Sequence, residues 1–108
     1  MPDDIDAPWS ASLRERLRSR FIRAISEAAR DLEDGSRHEE AIKLYQRGLD
    51  ADNLAEAFYQ GLMRCHAIVG RNTEAITTYL KLKQLLSITL NLKPSAATER
   101  LYQSLRSS

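Results

Sequence analysis

Glu40-Ala41-Ile42 recurs as Glu74-Ala75-Ile76, 34 residues further along the chain, and Tyr45 recurs as Tyr79 at the same offset. A period of that length accommodates a helix, a tight turn and a second helix, so it constrains the chain to stacked helix pairs. Proline usage agrees. Its three prolines stand at positions 2, 8 and 94, with none between Pro8 and Pro94. Proline inside a helix removes a hydrogen bond and clashes with the preceding turn, so a long stretch without it suits continuous helices. The expected fold class is all-α.

Length and charge narrow the function classes. The chain has 108 residues, enough for one core and too few for two. Sixteen basic and fifteen acidic residues give a formal charge of +1, so no global field favours nucleic acid or an acidic membrane. Cys65 is the single cysteine, which rules out an internal disulfide and a cysteine-based metal cluster. No run approaches the roughly 18 apolar residues of a membrane helix. The acidic start, Met1-Pro2-Asp3-Asp4-Ile5-Asp6, lacks the basic and apolar regions of a signal peptide. A cytoplasmic protein is expected.

Periodicity predicts five helices. Residues 1–10 read as a polar, flexible lead, with Ser10 or Ser12 capping a first helix. Leu13, Leu17, Phe21, Ala24, Ile25, Ala28 and Leu32 form its inward stripe. Asp34-Gly35-Ser36 ends it, with Gly35 expected in the left-handed conformation. A second helix over about 37–51 turns Ala41, Ile42, Tyr45 and Leu49 inward. A third, over about 54–69, carries Ala57, Phe58, Leu62, Cys65, Ile68 and Val69, and Gly70 stops it. Asn72 or Thr73 caps a fourth, which continues to Lys93, although Ile88 to Leu92 also alternates like a strand. Pro94 breaks the pattern, and Ser95 caps the last helix through Leu101, Tyr102 and Leu105.

The repeated residues have a packing rationale. Antiparallel helices approach closely only where side chains are small, which assigns Ala41 and Ala75 to the crossings. Tyr45 and Tyr79, four residues on, fill the gap to the next unit. Gly35 and Gly70 agree with this register. One helix pair cannot cover its own apolar faces, so the fifth helix is a cap. The expected domain, residues 11–106, is a TPR-like antiparallel array of two helix pairs plus that cap.

Several segments then resemble one family within this class. They are Leu13-Arg14-Glu15-Arg16-Leu17, the run from Glu39 to Leu49, Ala55 to Cys65, and Gly70 to Ile76. The ending from Leu92 to Tyr102 is similar to a Pro-Ser-x-x-Thr-x-x-Leu-Tyr closing signature. Together these resemble the bacterial transcriptional activator domain over roughly residues 9–106. Generic TPR repeats often end in Asp-Pro where this chain has Asp52-Asn53. The resemblance implies a regulatory module of a larger factor. In the family it accompanies a winged-helix DNA-binding domain, as in SARP-type regulators, or closes long LuxR-type regulators with an ATPase core. Ala7-Pro8-Trp9 before the first helix favours the LuxR type. On this reading the chain is an excised or separately encoded domain that transmits a signal or mediates oligomerisation. Its partners are other domains of the parent regulator, a separate protein or a second copy, without direct nucleic-acid contact. The alternative is a free-standing TPR scaffold unconnected with transcription.

Candidate sites are few. The glycines at 35, 48, 61 and 70 form no dinucleotide or Walker loop. Adjacent residues on a helix point about 100° apart, so Cys65 and His66 do not jointly clasp a metal, and Cys65 reads as core. No cofactor, metal or catalytic residue is expected, and the protein is not expected to be an enzyme. Glu39 and Glu40 suit the positive end of the second helix. Arg14, Arg16, Arg18, Arg20 and Arg23 form the one local charge asymmetry, read as a solvated face. Docking against an acidic surface of another domain and DNA contact are the alternatives, although no recognition-helix pattern accompanies it. The best candidate surface is a groove lined by first helices of each pair, with Arg23, Arg30, Gln60 and Arg64 as partner-binding residues beside Ser26, Glu33 and Ala57. Arg30 and Arg64 lie 34 apart and are expected to clamp a carboxylate-bearing peptide. The lysine and asparagine set of chaperone-tail clamps is missing. Trp9, Tyr59 and Leu101 are the expected apolar anchors if exposed.

Overall fold

The computed structural model describes residues 8–107, with side chains from Ala11 onward. It contains α1 (Pro8–Asp34), α2 (His38–Ala51), α3 (Glu56–Ile68), α4 (Asn72–Leu90) and α5 (Ala96–Ser107). α3 is the hub: it packs against each of the other four helices, whereas α1 meets neither α4 nor α5. This is a TPR-like array of two antiparallel pairs, α1–α2 and α3–α4, closed by α5. The lead over residues 1–7 and the Trp9 side chain lie outside the described residues.

The helix ends differ from expectation in instructive ways. α1 already begins at Pro8. Proline's fixed φ and missing N–H are tolerated in the first turn of a helix, and the expected serine caps Ser10 and Ser12 lie within α1. The first pair turns through Ser36, not Gly35. Ser36 has φ +61° and Gly70 φ +86°, which places the two left-handed residues 34 apart and restores the period. Both turns carry the same hydrogen bonds. Arg37 N donates to Leu32 O and Ser36 N to Glu33 O; Arg71 N donates to His66 O and Gly70 N to Ala67 O. That pair of bonds is a Schellman closure. Arg37 and Arg71 then serve directly as the N-caps of α2 and α4, at nearly identical backbone angles and without a side-chain cap bond. Asn72 and Thr73, expected as caps, sit in the first turn of α4.

α3 begins two residues later than expected, and α4 ends at Leu90, where Asn91 takes the left-handed conformation. The alternation from Ile88 to Leu92 forms no strand. It leaves Ile88, Leu90 and Leu92 exposed instead, as Ile68 is at the end of α3.

The core runs through three contiguous clusters. The first joins α1, α2 and α3 around Ala29, Ala41, Ile42, Tyr45, Phe58 and Leu62, with Phe21 edge-on to Phe58 at 6.1 Å. The second brings Met63, Ala75, Tyr79 and Leu105 together, and the third joins Tyr59, Leu82 and Leu86. The inward face of α1 is rotated from the expected stripe. Phe21, Ile22, Ile25, Ala29 and Leu32 face the core, whereas Leu13, Leu17, Ala24 and Ala28 are exposed.

Candidate interaction surfaces

The four repeat-packing residues are all buried: Ala41, Tyr45, Ala75 and Tyr79. What each tyrosine meets differs. The Tyr45 ring lies against the backbone of Gly61 on α3, where an added Cβ would come within 2.2 Å of the ring. Gly48 does the same in reverse, since a Cβ there would come within 2.6 Å of the Phe58 ring. These two glycines let α2 and α3 come into close contact. A helical glycine costs about 1 kcal/mol in propensity relative to alanine, so its presence twice in this joint reflects sterics.

The Tyr45 hydroxyl donates to Glu33 Oε2 at 2.6 Å, and Arg64 donates to the same carboxylate at 3.2 and 3.3 Å and to the Tyr45 oxygen. Burial would raise the Glu33 pKa. Hydrogen bonds from Arg64 and Tyr45, with the charges of Arg64 and Arg30, outweigh it and hold the carboxyl below its usual value. Burial and the adjacent Glu33 push the Tyr45 hydroxyl far above its ordinary range. The carboxylate that Arg64 clamps is therefore the chain's own.

The other groove residues are placed as follows. Gln60 donates to Thr98 Oγ1 at 2.8 Å, which commits it to α5. Arg30 is exposed one turn from Glu33. Arg23 is exposed with Arg16 and Arg20, and the three share a shallow hollow with Glu15 and Ser19. Ser26 Oγ is buried without a hydrogen-bond partner. Among the other expected anchors, Tyr59 is buried, its hydroxyl donating to Asn53 O, and Leu101 is half-buried.

The closing signature has a mechanical role. Ser95 Oγ accepts from Thr98 N at 3.3 Å, which caps α5. Glu56, at the start of α3, accepts from Ser95 N at 2.8 Å and from the fully buried Thr98 hydroxyl. Burial opposes the Glu56 charge, yet the Thr98 and Ser95 hydrogen bonds outweigh it and keep its pKa below the usual value. On the far side of the cap, Tyr79 stacks on Tyr102 with ring centroids 3.9 Å apart and donates to Glu99 at 2.5 Å. Ser95 and Thr98 are thus the fasteners that seat α5 on α3.

Sequence reasoning placed Glu33 beside the groove without pairing it to Arg64, and gave no role to Glu56, Gly48 or Gly61, nor foresaw the burial of His66. Long-range polar pairs leave no local pattern. The turn arginines were likewise missed: Arg37 pairs with Glu40, and Arg71 reaches back to Glu39 at 2.6 and 3.1 Å. His66 is buried, with Nδ1 3.5 Å from Glu74. Burial lowers its pKa, and the neighbouring Glu74 only partly opposes that. Cys65 is fully buried, and burial pushes its thiol up to about 11, which makes it an unreactive core residue. The backbones of α2 and α4 do not approach closely, and a cleft of about 440 Å³ opens between them over α3, lined in part by Asp50, His66 and Lys81.

No helix among the described residues is long and apolar enough to cross a membrane. Searches of curated proteins and of solved structures found no match. A family model described as the bacterial transcriptional activator domain matches residues 1–106. Given that near-complete match and an all-α array closed as described, the chain belongs to the bacterial transcriptional activator domain family.

Proposed function

We propose that the chain is the protein-interaction module of a bacterial transcriptional regulator. It transmits a signal by packing against the regulator's other domains, or holds copies of the regulator together, in the cytoplasm. The observation that carries this reading is the distribution of large apolar side chains. Leu13, Leu17, Ile68, Leu80, Ile88, Leu90 and Leu92 are exposed among the described residues, on a small array with a well-filled core. Leu13 and Leu17 stand one turn apart on α1, and Ile88, Leu90 and Leu92 follow one another at the end of α4; exposed apolar side chains grouped in this way are characteristic of contact sites. The Glu33–Arg64 and Glu56–Thr98 pairs, by contrast, are committed to holding helices together. A LuxR-type parent is the favoured context, on the sequence resemblance alone.

In-frame deletion of residues 11–106 from the parent gene tests this. The DNA-binding region is expected to retain its promoter affinity while the transcriptional response is lost. Unchanged regulation after the deletion, or a parent gene without a DNA-binding region, would favour a free-standing scaffold.

A further inference from the structure

α1 carries two apolar stripes, and the array uses only one. The core-facing stripe is Phe21, Ile22, Ile25, Ala29 and Leu32. The second comprises Leu13, Leu17, Ala24 and Ala28, all exposed, with Leu17 still 55% accessible. On a regular helix these four positions fall within about 60° of one another, so they form a continuous seam. Ala24 and Ala28, one turn apart, leave room for another helix to approach closely. At the upper end, Leu17 joins Phe21 in a recess of about 490 Å³ against Ala51 and Asp52.

In a helical array every repeat packs only on its neighbours, and a terminal helix normally turns a polar face outward. α5 obeys this rule, since Arg100, Gln103 and Arg106 are exposed on it. α1 does not. The arc beside its seam carries Arg16, Arg20 and Arg23, which share one hollow, against one exposed acid, Glu27, and so is net positive. Charge therefore selects the occupant. A second α1 packed antiparallel would bring the Arg20 and Arg23 regions of both copies together. The α5 face of another copy would add Arg100 and Arg106 to the same patch. Both set one net positive surface against another, with Arg20 meeting Arg20 at the middle of the α1 pair, whereas an acidic surface is attracted to the arc.

We infer that the outer seam of α1 docks an acidic amphipathic helix contributed by a neighbouring domain of the regulator. The inference rests on the interaction-module reading and names the surface and the chemistry. Apolar side chains of that helix interleave with Leu13 and Leu17 over Ala24 and Ala28, and its carboxylates face Arg16, Arg20 and Arg23.

The test uses the ¹⁵N-labelled 108-residue chain and two stapled model helices, with identical leucine and alanine stripes and glutamate or lysine flanks. The glutamate helix is expected to shift amide resonances along α1, and to bind less tightly as salt rises. Leu13→Asp with Leu17→Asp is expected to weaken it by about tenfold or more. Arg16→Glu, Arg20→Glu and Arg23→Glu together should reverse the preference toward the lysine helix. All five positions are exposed, so unchanged circular dichroism and melting are expected in these variants. No binding, equal binding of both helices, or shifts confined to the α2–α4 cleft would overturn the inference. So would a dimer of the free chain, in light scattering, that the leucine substitutions dissociate. The same variants are then titrated with the remainder of the regulator. Loss of that binding supports the seam. Retention overturns it while leaving the interaction function intact. No binding by the unaltered chain overturns both.

Discussion

Tyr45 and Tyr79 occupy the same place in the repeat and live in different joints. Tyr45 lies on a glycine, and its hydroxyl is gripped by Glu33 and Arg64 inside the array. Tyr79 lies on another ring, Tyr102, and its hydroxyl is held by Glu99 of the cap. The repeat determines where a large ring is placed, and the next helix determines how it is received. Where the next helix is another repeat, backbone meets ring and the joint is tight. Where the next helix is a cap, ring meets ring and polar fasteners at Ser95 and Thr98 complete the seating.

The most damaging way to break this contrast is Gly61→Ala. The added Cβ has nowhere to go beneath Tyr45, and overpacking of this sort costs about 3 kcal/mol, well above the gain in helix propensity. Urea unfolding should show a large drop in midpoint. Relief in a Gly61→Ala, Tyr45→Leu double variant would confirm that the ring is the obstacle.

Glu33→Gln is next. It leaves Arg64 half-buried beside a neutral amide, and charged hydrogen bonds of this kind contribute about 2 kcal/mol. The same pair sets an acid limit. The folded Glu33 pKa lies below its usual value of 4.5, so its stabilisation is present above that value and lost as pH falls through the folded pKa. Glu33→Gln should therefore flatten the acid limb of a stability–pH curve.

Thr98→Val tests the second joint. It removes the hydroxyl that Glu56 and Gln60 share and should cost about 1.5 kcal/mol. The loss is expected to be local. Hydrogen exchange should accelerate in α5 and leave α2 protected, and equal acceleration in both would show that the joints are not separable.

The two turns offer a smaller, signed comparison. Ser36→Gly relieves a left-handed serine and should stabilise by up to about 1 kcal/mol, whereas Gly70→Ala, with open space around it, should destabilise by about 1 kcal/mol on backbone grounds alone. The smallest effect is the His66 titration. Its folded pKa lies below the usual 6.5, so its contribution is intact above that value and declines as pH falls through the folded pKa. His66→Gln should remove that step from melting curves taken between neutral and mildly acidic pH.

Much of the fold was legible because helix pairs write their period into the chain. Ala41, Tyr45, Ala75 and Tyr79 could be placed from spacing, and Pro94-Ser95-x-x-Thr98 marked the cap. The α1 face could not be placed as well. Leu13, Leu17, Ala24 and Ala28 are as apolar as core residues, and they drew the expected stripe away from Ile22 and Ala29. Nothing local distinguishes an apolar seam awaiting a partner from one already covered. Gly48 and Gly61 were read only as glycines, because their purpose depends on rings 10 and 16 residues away in the chain. Arg64 was expected to hold a ligand's carboxylate, and a partner 31 residues away, Glu33, takes that role.

The central claim is that this array exists to be packed against. Titrating the labelled chain with the remaining domains of its regulator tests it most directly. The account predicts saturable binding, with resonance shifts along α1 that Leu17→Asp abolishes. A chain whose spectrum is unchanged at saturating concentrations of those domains would contradict it.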